Sequence, residues 1–291
     1  MSFRSPSNRL WAAQLRAELD VRLLSMPDPF STIGFPLQDE SDFSDLATRL
    51  AAESQRIPVS GGAYLLWASP GGEQVWLQGD SDGYLVGMTP HFAGKSQVSV
   101  SVGSILRRPG ETFLDGTIRG CMNDETQPNA GIADCPIVVD VPNLATHGRL
   151  ELPICVDVQV AAFAREASTF ASEDAYYAAQ EPGGFASRSY VPSGTFTPGG
   201  GATEPPHAFG IFTGHVLEAA AKRNRRTDAP FYWALVDTLG GTFDVLIDPE
   251  LLPEPPRAGG ILQGSFWFSG TITTTAPAKR GLLGRLAHKL R

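Results

Sequence analysis

Apolar and polar residues alternate through much of this chain with the two-residue period of a strand, most densely between Gly210 and Ile272. Gly210–Ala219, Phe231–Thr238 and Thr242–Asp248 read as three strands there, separated by the polar loop AKRNRRTDA and a tight Gly240-Gly241 turn. The proline-rich stretch Pro249–Arg257 reads as a crossover, and two further strand runs follow Gly259-Gly260 through Phe268 to Ile272. Upstream, QVSVSVGSIL, TFLDGTIRG, PIVVDVP and LPICVDVQVAAF predict four more strands over residues 97–163. STIGFPL is a short strand candidate, and AYLLW and EQVWLQ predict a hairpin around Ser69-Pro70-Gly71-Gly72.

Helical spacing occurs in only a few places. Leu10, Trp11, Leu15, Leu19 and Leu23 predict a helix over 9–24, which MPDP ends. Phe43, Leu46, Ala47 and Leu50 share one face of a predicted helix Phe43–Glu53, with Ser41-Asp42 as its cap. A third helix is expected at Glu173–Gln180. The chain has 31 glycines and 23 prolines, a turn-rich composition. The expected class is therefore α+β, β-rich and multidomain. An N-terminal α+β region spans 1–96, a β-rich middle region 97–181, a Gly/Pro-rich linker 182–206, a barrel 207–275 and a basic tail 276–291.

The layout of the C-terminal run resembles the oligonucleotide/oligosaccharide-binding (OB) fold superfamily. The resemblance rests on Gly-x-Val, a loop, an aromatic strand ending Val236-Asp237, Gly-Gly, a third strand, and a final Gly-x-x-x-x-Gly. It implies a ligand face on the second and third strands and the first connecting loop. That loop holds Lys222, Arg223, Arg225 and Arg226, beside Phe231, Tyr232 and Trp233. Alternation sends Phe231, Trp233 and Leu235 into the barrel, which leaves Tyr232 outward and makes Trp267 an exposed aromatic. Cations beside aromatics suit single-stranded nucleic acid. The charge balance argues the other way: residues 1–185 hold 12 Lys and Arg against 23 Asp and Glu, and 186–291 hold 11 against 8, for a net charge of −8. An acidic body repels phosphate, so an acidic protein surface or this chain's own acidic region is the expected complement of the basic loop.

Residues 31–78, read as strand, helix, strand and hairpin, weakly resemble the half-module of vicinal-oxygen-chelate (glyoxalase-like) proteins, with YLLWASPGGEQVWLQ as the hairpin. That resemblance implies a divalent metal held by His and Glu. Here STIGFPL has no histidine, and Glu73 is the only carboxylate of the hairpin, so no metal or cofactor is assigned.

No catalytic motif stands out. His91, His147, His207, His215 and His288 are scattered; His91 in GMTPHFAG, expected in a turn, is the most enzyme-like. Asp237, Asp244 and Asp248 are a candidate carboxylate cluster. Cys121, Cys135 and Cys155 have no metal-ligand spacing and read as reduced thiols. The N-terminus has no secretory core and no apolar run is long enough to cross a membrane, so a cytoplasmic location is expected. In the tail, Leu282, Leu283, Leu286 and Leu290 recur at helical spacing among Lys279, Arg280, Arg285, Lys289 and Arg291, the pattern of a segment that orders in a partner's groove. The expected function is a non-enzymatic interaction or assembly protein that contacts protein partners through barrel and tail. Single-stranded nucleic-acid binding and a glyoxalase-like metalloenzyme are the alternatives.

Overall fold

The computed structural model describes residues 28–108, 111–122, 135–180, 184–192 and 206–277. The expected helix at 9–24 and the leucine-striped tail lie outside these residues. Two α-helices occur among the described residues, α1 (Glu40–Glu53) and α2 (Glu173–Ala179), and most of the rest is strand. Asp39 caps α1 by accepting the Asp42 N–H at 3.0 Å. The cap is thus Asp39, not Ser41-Asp42. Phe43, Leu46, Ala47 and Leu50 form the buried face of α1, as their spacing predicts. STIGFPL is not a strand; Ser31–Ile33 make a single 3-10 turn closed by Gly34.

Four antiparallel strands form a meander: β1 (Gln55–Val59), β2 (Gly62–Ala68), β3 (Glu73–Asp80) and β4 (Leu85–Phe92). The other nine belong to one sheet: β5 (Val98–Leu106), β6 (Thr117–Met122), β7 (Cys135–Asp140), β8 (Ile154–Phe170), β9 (Ser189–Pro192), β10 (Phe209–Arg223), β11 (Pro230–Thr238), β12 (Gly241–Ile247) and β13 (Ile261–Pro277). The two strand runs expected after Gly260 are one strand of 17 residues. It pairs antiparallel with the equally long β8, from Ile261↔Phe170 to Pro277↔Ile154.

This ribbon overturns the expected class. Residues 209–277 do not close a barrel of their own. Their four strands complete a circuit only through β8, which comes from the middle region and runs parallel to β12. A second circuit, β5–β6–β7–β13–β8, is built the same way, with β7 parallel to β13 at Asp140↔Ser269. The physical reason is strand length. At about 3.3 Å per residue, 17 residues outrun a small barrel, and the surplus of each strand becomes a wall of the neighbouring circuit. Both circuits wrap one continuous core, with Val100, Ile118, Val139 and Val158 joined to Phe212, Phe243, Val245 and Phe268.

The sheet is a tandem repeat. In each unit three consecutive antiparallel strands are followed by a 3-10 turn (Leu144–His147, then Pro249–Leu251) and one long strand. A register row crosses the centre as Asp244, Ala161, Ser269 and Asp140, so the two aspartates occupy matching places. Each accepts an indole N–H: Trp233 Nε1 to Asp244 at 2.8 Å, and Trp267 Nε1 to Asp140 at 2.7 Å.

The meander and α1 cover the outer face of only the β10–β12 circuit, where Ala161, Phe163, Phe231, Trp233 and Leu246 point outward into a second core with Phe35, Leu50, Trp67 and Phe92. Phe231 and Trp233 therefore face away from the circuit interior, opposite to expectation, while Ala234 and Val236 fill it and Tyr232 packs against it. The other face of the meander meets Leu114 through Tyr64, whose hydroxyl donates to the Leu114 carbonyl at 2.6 Å.

A fragment of residues 186–277 lacks β8 and leaves one edge of β13 and one of β12 unpaired. It is expected to give a poorly dispersed amide spectrum, whereas a fragment of residues 90–277 that restores both circuits gives a dispersed one. Sharp, dispersed amides from the short fragment would show that β8 is dispensable.

Candidate functional site

Five buried polar residues, His91, Ser96, Gln159, Asp244 and Ser269, come together in a seam where β4 and the loop after it meet the centre of the β8–β13 ribbon. Four side chains form a chain there. Gln159 Nε2 donates to Asp244 Oδ2 at 2.9 Å, which turns Gln159 Oε1 toward His91 Nε2 at 2.7 Å. His91 Nε2 therefore carries the ring proton, and Nδ1 accepts from the Ser269 hydroxyl at 3.0 Å. Thr271 Oγ1 lies 3.3 Å from His91 Nε2. Asp244 also accepts the backbone N–H groups of Lys95 and Ser96, at 3.0 and 2.7 Å, and the Trp233 indole. Gly94 is obligatory beside it, because a Cβ at that position would stand 2.1 Å from the Asp244 carboxylate carbon.

A hydroxyl on an imidazole nitrogen, with the opposite N–H fixed by an amide oxygen, is the donor order of a nucleophile, base and orienter. Here all of it is sealed: His91, Asp244 and Ser269 have no exposed surface and Gln159 is nearly as buried. Burial pushes the His91 imidazole down to about 4, so the ring is neutral near pH 7. His91 lies in β4, not in a turn. The arrangement locks the meander to the ribbon. Among the described residues no group of three or more His, Cys, Asp or Glu is placed to hold a metal ion.

Glu73, at the start of β3, is also fully buried, with no hydrogen-bond partner on either carboxylate oxygen. It folds beneath Gly71, whose carbonyl accepts from Lys222 Nζ at 3.0 Å. Lys222 Nζ in turn lies over the Phe92 and Trp233 rings, at 5.4 and 5.6 Å.

The rest of the basic loop is a clasp on the N-terminal region. Asn224 is buried and donates to the Ile33 carbonyl at 2.8 Å, while its own oxygen accepts from the backbone of Arg226 and Thr227. Thr227 reaches the Gly34 carbonyl. Gly34 has φ of 77°, and a Cβ there would stand 2.6 Å from the Asn224 Cβ, so glycine is needed on both counts. Arg226 pairs with Glu53 at the end of α1 and holds that carboxyl below its usual range. Arg223 pairs with Asp228 within the loop, and Arg225 is exposed.

The aromatic candidates are also engaged. Tyr232 is half-buried against the core, and Trp267 is half-buried 4.9 Å from the Phe163 ring with its indole on Asp140. The three aspartates do not cluster: Asp237 pairs with Arg188, and Asp248 caps the turn before β13 by accepting the Glu250 N–H. Leu282, Leu283, Leu286 and Leu290 lie outside the described residues. Sequence reasoning passed over Gln159 and Ser269. Their only signal is a polar residue inside an apolar run, VDVQVAAF and FWFSGTI.

Of the eight large apolar side chains exposed among the described residues, three lie on or beside α2. Ser172 caps this helix through its hydroxyl, and Tyr176 is sealed against Phe170, donating to the Phe185 carbonyl at 3.0 Å and lying 3.5 Å from Thr213 Oγ1. Around that anchor Tyr177 is 50% exposed, Phe185 46% and Ile211 43%.

The neutral His91 ring has a pH signature. The folded chain takes up this proton only near pH 4, whereas an unfolded histidine takes it up near 6.5. Stability is therefore full above about pH 6.5 and falls on acidification toward 4, by on the order of 3 kcal/mol. Asp28, raised by burial to about 6, titrates in the opposite sense. Urea unfolding of the wild type and of His91→Gln across this window isolates the histidine: the variant is less stable at pH 7.5 and lacks the acid loss. Equal pH slopes for both proteins would refute a sealed, neutral His91.

No protein-family model, curated protein or solved structure matches this chain.

Proposed function

We propose that this chain is a non-enzymatic interaction or assembly protein that contacts protein partners through the apolar surface around α2. The observation that carries the reading is the gathering of Tyr177, Phe185 and Ile211, each more than two-fifths exposed, on one rigid support. A grouping of large apolar side chains at the surface is the mark of a protein contact, whereas Tyr84, Leu152, Leu217 and Leu239 stand in other parts of the chain. The support is rigid because Tyr177 accepts the Ser187 N–H at 3.2 Å and Tyr176 is bonded to Phe185, so little order is lost on binding. The interior chemistry favours the same reading. The hydroxyl–imidazole–amide chain is sealed in the seam, and three cations of the basic loop act within the chain, on Gly71, Asp228 and Glu53. The tail, with its leucine spacing, is the second contact element on this reading.

A photo-crosslinking residue placed at Ile211 is expected to trap a discrete protein adduct in cells, while the same residue at the exposed position Thr273 traps none. Ile211→Glu is expected to leave unfolding within about 0.5 kcal/mol of wild type, as a surface change does. The absence of any adduct at position 211 would overturn the proposal.

A further inference from the structure

Resting on that reading, we infer that the occupant of the α2 surface is the basic, leucine-striped segment 279–291 of a second copy of this chain. Three observations converge on it. The first is the surface itself. One register row crosses four strands as Glu166, Ser265, Ile211 and Val191, which puts an exposed carboxylate about 10 Å from Ile211 on the same face. Glu173 and Asp174 open α2 beside it. An apolar centre is thus flanked by carboxylates. The nearby cations are occupied, Arg188 by Asp237 and Arg165 over the Phe209 ring at 4.2 Å.

The second observation is complementarity. The segment KRGLLGRLAHKLR sets Leu282, Leu283 and Leu286 against five Lys and Arg residues, an apolar stripe with basic flanks. Leucine stripe to Ile211, Phe185 and Tyr177, and cations to Glu166 and Asp174, is the pairing this chemistry favours.

The third is reach. β13 leaves the surface at Ser265 and ends at Pro277, twelve residues on, or about 40 Å along the strand. The chain's own tail therefore starts at the far end of the ribbon from this surface, which favours the tail of a neighbouring copy as the occupant. The contact is heterologous, tail of one copy to α2 surface of the next, and it propagates unless it closes into a ring.

Complementation in the analytical ultracentrifuge tests this. The full-length chain is expected to sediment faster as concentration rises, and less so in high salt. Ile211→Glu, with an intact tail, and the double variant Leu282→Asp/Leu286→Asp, with an intact surface, each stay monomeric, at least about tenfold weaker in association. An equimolar mixture of the two forms a heterodimer and nothing larger. In parallel, a labelled synthetic peptide of residues 279–291 binds the full-length double variant and not the Ile211→Glu chain. A wild type that stays monomeric, a mixture that fails to dimerise, or a peptide that binds both variants alike overturns the inference. If association fails while the crosslink at Ile211 persists, the protein-binding reading stands with a different partner.

Discussion

The antiparallel pairing of β8 with β13 is the constraint on which the rest depends. It joins residues about a hundred positions apart, from Ile154↔Pro277 to Phe170↔Ile261. Every other strand of the nine-stranded sheet is placed by where it borders this ribbon. β5 and β12 take successive halves of the free edge of β8; β10 and β7 do the same on β13. Closing so long a loop is entropically costly before any contact repays it, so folding should be slow compared with a local meander such as β1–β4.

The ribbon's outward residues decide where the N-terminal region sits. Over the β10–β12 circuit they are Ala161 and Phe163, joined by Phe231, Trp233 and Leu246, and exposing that surface would cost on the order of several kcal/mol. Over the other circuit they are Cys155, Asp157 and Thr271, beside Ser99 and Ser101 of β5, all only partly buried. The hydrophobic effect selects one half for cover and leaves the other wet. Hydrophobic contact alone does not fix orientation, and the polar seam supplies it: Asp244 with four donors, His91 between Ser269 and Gln159, and Asn224 gripping Ile33. A buried polar network of this kind specifies one docking pose, since any shift strands several partners at once.

Strand positions were largely legible, because alternation is a local signal. The runs in 97–163 and 210–272 became β5–β8 and β10–β13, and α1 and α2 lie where their spacing put them. What could not be read was which strands pair. A period of two says that one face is buried and is silent on the partner, so a complete-looking C-terminal run suggested a barrel that in fact borrows β8. The same silence reversed Phe231 and Trp233. Alternation alone sends them into the barrel, because the meander that covers the outer face is remote in sequence. The repeat leaves little trace in the sequence because its two units share topology more than residues, apart from a proline and a leucine near each 3-10 turn, Pro142-Asn-Leu144 and Pro249-Glu-Leu251. In the seam, single polar residues within apolar runs were the trace, and one sequence does not say which of them meet.

The matching aspartates at the two ends of the central row mark an internal twofold relation. Each unit of three strands and one long strand is topologically unfinished: its long strand needs the other's long strand, and its third strand closes only against the other unit. A polypeptide with one such unit would complete its hydrogen bonding only by exchanging strands with a twin. The present chain has the connectivity of a strand-swapped twofold dimer made continuous, and within one chain the halves need not be alike. One carries an apolar flank beneath the meander; its counterpart carries serine, threonine and cysteine on the same face, only partly buried.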